Sequence, residues 1–228
     1  MQKILDIYKE YRIMPNLVDH QLRVAGVAMQ ICDAINGVEI DRDAIIKTCL
    51  LHDMGNIIKF NLDYFPEFLE PEGLEYWQKV KDEYIEKYGK DEHHATMQIA
   101  KELPVFNNVI EFINSIGFSQ AEKNKEDNNF SIKICCYSDM RVRPEGIVLL
   151  SDRLNDLRNR YNSQRRSIDI KEKYLNRPSA VSENLRNIFE DSLKEIEKQI
   201  FSKCKIKPED ITDKSVALYI EKLKNFEI

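Results

Sequence analysis

Apolar residues recur every three or four positions along most of this chain, and little in the sequence interrupts them. From Leu17 the positions Val24, Val27, Ala28 and Ile31 fall on one helical face, and the same spacing returns at Ile147, Leu150, Leu154, Leu157 and Tyr161 and at Leu185, Ile188, Phe189, Leu193, Ile196 and Ile200. Seven glycines and seven prolines punctuate 228 residues, too little turn chemistry for a many-stranded sheet. With long stretches rich in Glu, Lys, Leu and Ile, this predicts an all-α fold. A chain of this length, 43% hydrophobic, can bury one large core or two small ones. The organisation expected is a helical bundle over residues 1–162 with a helical C-terminal extension over 163–228 packed on it.

A net charge of −5 lacks the basic excess of a general nucleic-acid or membrane-surface binder. No window approaches the roughly 20 apolar residues of a membrane span, and the start of the sequence meets charge at Lys3 and Asp6 before an apolar run can develop. A cytoplasmic location is therefore expected. Cys32, Cys49, Cys135, Cys136 and Cys204 show no C-x-x-C spacing and read as reduced core thiols.

Taken in order, residues 2–12 predict a short helix, and Pro15 fits the start of a second that stops near Asn36-Gly37. Asp41 can cap the next, where Ile45, Cys49 and His52 form one row and Ile46, Leu50 and Asp53 a parallel one; Gly55 is expected to end it in the left-handed conformation. The stretch 57–71, with Phe60, Tyr64, Phe65 and Phe68, reads as a loop or lid. An amphipathic helix over 75–88 closes at Gly89, and Asp91 caps another whose inward face carries His93, Met97 and Ala100, leaving His94 to solvent. A helix over 105–116 precedes a charged, Asn-rich segment, 119–129, expected to be an exposed loop. Ile132, Cys135 and Asp139 share a face of the following helix; further helices are expected over 146–161, over 182–201 and after Thr212.

Four chemically capable residues, on three separate helices and inward by phase, stand out: His20, the adjacent pair His52-Asp53, and Asp139. An unpaired carboxylate or imidazole is costly at the end of an apolar segment, so these groups need partners. Two imidazoles and two carboxylates suit a divalent transition metal such as Mn, Fe, Co, Ni or Zn, with positions left for water and a substrate oxygen.

The order His20, His52-Asp53, Asp139 resembles the H…HD…D signature of the HD-domain metal-dependent phosphohydrolase superfamily. Asp19-His20-Gln21-Leu22-Arg23-Val24-Ala25, Leu50-Leu51-His52-Asp53-Met54-Gly55 and Tyr137-Ser138-Asp139-Met140-Arg141-Val142 are similar to its motifs. The resemblance spans roughly residues 10–160, the size of one helical domain. It implies an HD-type helical fold in which His20, His52, Asp53 and Asp139 bind one divalent metal. A water on that metal then attacks the phosphoester of a small molecule such as a nucleotide, with Asp53 also assisting the water. In relatives with further histidines a second metal binds, which here would recruit His93 as metal ligand or substrate contact. Arg23 and Arg141 can fork onto phosphate oxygens or pair with the metal carboxylates. Asn56 stands where relatives often carry Lys or Glu, and Lys59 can substitute in phosphate contact. That departure motivates an alternative, a catalytically weak or inactive HD domain that binds metal and a nucleotide as a regulatory module. Phe60 to Phe68 suits base stacking or ordinary packing, and Arg158, Arg160, Arg165 and Arg166 read as a solvated helix end.

Overall fold

Local capping chemistry sets most of the helix starts. A computed structural model of the chain describes residues 1–63, 66–166 and 183–228, apart from the side chains of 160–166. After a short α1 (Ile4–Glu10), Pro15 opens α2 (Pro15–Ala34) at its first position, where a missing N–H costs nothing. The Asp41 carboxylate accepts from Ala44 N at 3.0 Å and starts α3 (Arg42–Leu51). α4 (Leu74–Tyr88) ends at Gly89, whose φ of +89° is open to glycine at little cost. Asp91 accepts from His94 N at 2.6 Å and caps α5 (Glu92–Glu102). Then follow α6 (Asn107–Ser115), α7 (Ala121–Glu126) and α8 (Phe130–Met140). A hairpin pairs β1 (Val142–Arg143) with β2 (Gly146–Ile147), and α9 (Leu150–Arg166), α10 (Glu183–Phe201) and α11 (Asp213–Leu223) complete the described elements.

The core is built on α2 and α3. α2 buries Val24, Ala25, Val27, Ala28 and Ile31 completely, and it packs against α3, α8 and α11. Its small residues let neighbours approach closely: a Cβ on Gly26 would lie 2.4 Å from Val216 Cγ1 of α11. α3 buries Ile45, Cys49, Leu50 and Leu51 against α6 and α8, and α8 answers with Ile134, Cys135, Cys136 and Tyr137. Each such Ile or Leu contributes about 1.5–3 kcal/mol relative to an exposed position. α10 and α11 add Leu193, Ile196, Ile200, Val216 and Leu223 to this same core. Ile4 N donates to Phe226 O at 2.8 Å, fastening the N-terminal helix to the last residues. Four of the five cysteines are buried and all are free thiols.

Several elements depart from expectation. Residues 119–129 are not a loop throughout: Ala121–Glu126 is helical, with Ala121 and Asn124 buried and α7 packed on α10. A stripe of apolar residues is missing because this contact uses one small residue, while Asn124 Nδ2 donates to Ser115 O at 2.8 Å and satisfies the end of α6. The helix expected from 146 starts at Leu150, since Gly146 and Ile147 pair with the preceding strand and Ile147 N donates to the Asp213 carboxylate. On α10, Leu185 and Ile188 are 40% and 42% exposed, while Arg186 and Glu190 are buried; Glu190 is paired with Arg158. The stretch after Gly55 contains two 3₁₀ turns, Asn56–Lys59 and Pro66–Leu69. Tyr64, Phe65, Arg160, Tyr161, Arg165, Arg166 and Ser182, to which the sequence assigned roles, lie outside the described residues or side chains. No helix among the described residues is long and apolar enough to cross a membrane.

Candidate metal centre

Three packed helices deliver the chemically capable residues to one point. His20 lies in the second turn of α2, His52 is the residue that closes α3, Asp53 follows it, and Asp139 sits in the last turn of α8. Because α2, α3 and α8 pack on one another, their apolar faces set the separation of these side chains. His20 Nε2 is 3.2 Å from Asp139 Oδ1, and His52 Nε2 is 3.5 Å from the same oxygen. One donor atom from each of His20, His52 and Asp139 lies within 4.8 Å of the others. Asp53 stands beside this trio, its Oδ2 3.6 Å from His20 Nε2 and 3.8 Å from His52 Nε2.

The state of His52 shows what the trio suits. Its Nδ1 donates to the Cys49 carbonyl at 2.9 Å, which fixes the ring and leaves Nε2 as the inward atom. Nε2 is buried without a hydrogen-bond partner among the described residues, and both carboxylates are beyond the usual 2.7–3.2 Å range. An unsatisfied buried polar atom costs about 1–3 kcal/mol. A cation between His20, His52 and Asp139 removes that cost, and a backbone-anchored imidazole is the usual support for a metal ligand. The N/O donor set fits a divalent transition metal. Electrostatics agree: burial works against a charged His52, yet the Asp53 and Asp139 carboxylates outweigh it and push its pKa up to about 10. Burial would likewise raise Asp139, but His20 and His52 hold it well below the usual carboxylate range.

The turn beyond the pair is held from outside. Gly55 has φ −92° and ψ 0°, a right-handed conformation, so it is not the left-handed residue expected. Glycine is required there for close approach: a Cβ would meet Glu92 O at 2.4 Å and Thr96 N at 2.8 Å of α5. Thr96 Oγ1 accepts from Gly55 N at 2.9 Å and donates to Glu92 O. Gln21 Oε1 accepts from Asp53 N at 3.3 Å. Thr96 and Gln21 are supporting residues that periodicity does not single out: Thr96 lies outside every motif, and Gln21 lies inside one without a role that spacing assigns.

The trio opens into a cavity of about 740 Å³. Asp53, Arg23, Lys59 and His93 line it, as do Phe60 and Phe68. Lys59 Nζ is 3.8 Å from Glu92 Oε1, and His93 Nε2 donates to Asn114 Oδ1 at 3.0 Å, so His93 is at the cavity but outside the trio. His94 is exposed, as expected, but so is His93, which corrects the expectation of an inward-facing side chain: at the start of α5 it stands at the solvent edge of the cavity. Asn56 is buried at 5% exposure and also faces the cavity. Arg141 does not reach it. Fully buried, its guanidinium donates to Val148 O, Tyr137 Oη, Pro208 O and Ile211 O, which corrects the expectation of a phosphate contact there. The cavity wall instead carries Arg153, from the first turns of α9, a residue whose position depends on the hairpin before it and is not readable from spacing.

The family model described as HD domain matches residues 17–127, which include His20 and the His52-Asp53 pair and stop short of Asp139. Asp139 joins the set by geometry. No curated protein and no solved structure matches the chain.

Proposed function

The chain carries an HD domain and belongs to the HD-domain superfamily, and from that premise we propose that it is a metal-dependent phosphohydrolase acting on a small phosphorylated molecule, with a nucleotide as the favoured class. The observation that carries this reading is the Nε2 of His52, buried without a hydrogen-bond partner among the described residues, beside His20 and Asp139 at the cavity. His20, His52 and Asp139, with Asp53 beside them, would hold a divalent metal, which would supply Lewis-acid polarisation of a phosphoryl oxygen and a water of lowered pKa. Asp53, more exposed than His52, takes the proton from the attacking water. Arg23 and Lys59 contact phosphate oxygens, and His93 meets the substrate at the rim. Phe60 and Phe68, half-buried on the wall, suit a nucleobase.

The test is to purify the protein without chelator, measure bound metal, and assay nucleotides and phosphomonoesters with Mn, Co or Ni. Turnover is expected with kcat/KM on the order of 10⁴ M⁻¹s⁻¹ or better. Asp53→Ala is expected to lower kcat by about 10²–10⁴-fold, the typical contribution of a general base. Unchanged turnover in that variant defeats the mechanism. Buried Asn56, three residues past Asp53, supports a second reading, a regulatory module that binds metal and nucleotide. Tight nucleotide binding with no hydrolysis across the panel distinguishes it.

A further inference from the structure

Arg153 is a cavity residue whose hydrogen bonding is incomplete among the described residues. Its side chain is 15% exposed, and its Nε is buried with no hydrogen-bond partner among the described residues. Nη1 reaches Asp156 Oδ2 at 3.3 Å, a long ion pair one turn along the same helix. The edge formed by Nε and Nη2 is therefore uncommitted among the described residues, at a wall that also holds Asp139, Val142 and Pro144. Arg23 borders the same wall, donating from Nη1 to Pro144 O at a loose 3.3 Å. Arg143, on the strand between them, lies 3.8 Å from Asp156 and 3.1 Å from Glu145. Three guanidinium groups thus surround one hairpin, and a buried guanidinium edge is costly unless an anion meets it.

Resting on the phosphohydrolase reading above, we infer that Arg153 is a specificity-determining residue that grips a terminal phosphate of the substrate through its Nε and Nη2. A guanidinium edge takes two oxygens of one phosphate in parallel. A terminal phosphate still has a third non-bridging oxygen to present to His20, His52 and Asp139. A phosphodiester has none left. The substrate class selected is therefore a phosphomonoester or a nucleotide attacked at its terminal phosphate, and Arg23 steadies the same group from the α2 side. A purely structural Arg153, serving only to hold Asp156, would leave phosphate affinity untouched.

Calorimetric titration of the manganese-loaded protein with inorganic phosphate and with dimethyl phosphate tests this, in wild type, Arg153→Gln and Arg153→Lys. Wild type is expected to bind inorganic phosphate more tightly than dimethyl phosphate. Arg153→Gln is expected to weaken inorganic phosphate by about tenfold to a hundredfold, the worth of charge-assisted hydrogen bonds, with bound metal unchanged. Arg153→Lys keeps the charge without the fork and falls between the two; it also carries the comparison if Arg153→Gln does not fold. Equal phosphate affinity in wild type and variant overturns the assignment, and equal binding of the two ligands by wild type overturns the terminal-phosphate class. Metal content and turnover measured on the same samples separate the two levels of argument. A wild type without metal fails both. A wild type that holds metal and hydrolyses a phosphoester, with Arg153→Gln binding phosphate normally, fails this one alone.

Discussion

His52 is pulled two ways, and its protonation records the balance. Asp53 and Asp139 outweigh burial and raise its pKa from 6.5 to about 10. A raised histidine stabilises the fold fully below its unfolded value of 6.5, and that contribution is lost as pH climbs through about 10. Metal binding needs the same nitrogen free of its proton. Manganese binding is thus expected to release about one proton near pH 8, and affinity to rise about tenfold per pH unit between roughly pH 7 and 9. Asp139, held below the usual carboxylate range, is already ionised there and adds no proton. Calorimetry in buffers of different ionisation enthalpy reads the proton count directly; zero protons released at pH 8, with manganese bound, overturns the raised pKa of His52. The sequence made this residue visible because histidine and aspartate at an apolar helix end are expensive. It could not show that Nδ1 is fixed by Cys49 O, since that bond depends on the local backbone at the end of α3.

At the scale of elements, legibility followed how local the cause was. Pro15, Asp41 and Asp91 start helices through contacts within a few residues, and all three were readable. α7 was not, because what makes it a helix is its docking on α10 and the reach of Asn124 to Ser115 O. Gly55 is the instructive case: the residue type was noticed and its reason was not. Its backbone needs no left-handed freedom, and the constraint is the α5 backbone lying against its Cα. Gly55→Ala is therefore expected to destabilise by about 1–3 kcal/mol through overpacking, although alanine itself suits a right-handed turn. Urea unfolding measures the loss. Weaker manganese binding is expected in the same variant, because Asp53 and Gly55 share the displaced turn. Gly37→Ala makes the contrast, with φ +71° and open space around the position, so strain there is conformational and remote from the metal residues. If Gly55→Ala matches wild type in both readouts, α5 does not constrain the turn.

Across the whole molecule, Arg141 ties the end of α8 to the segment between α10 and α11. Two residues beyond Asp139, its guanidinium joins Tyr137 Oη to Pro208 O and Ile211 O, while Tyr137 Oη also donates to Glu197. Sequence placed Arg141 beside a candidate ligand and suggested a phosphate contact or a pairing with the metal carboxylates; only the packed chain shows its guanidinium on Tyr137 Oη and on the carbonyls of Val148, Pro208 and Ile211. Arg153 is the converse, unremarkable in sequence and brought to the cavity by the hairpin. A metal at the trio would be coupled to fold stability, because the trio exists only when α2, α3 and α8 are docked. A ligand that binds only the folded state at 100 times its Kd stabilises by about 2.7 kcal/mol. A chain of this size gains about 2–4 °C in Tm per kcal/mol, so manganese is expected to raise Tm by roughly 5–10 °C over chelator-treated protein. Asp139→Asn removes the ligand charge while preserving shape, and the shift is expected to vanish in it. Arg153→Gln, which leaves the trio intact, is expected to keep the full shift, and a chelator-insensitive wild-type Tm contradicts a metal at this centre.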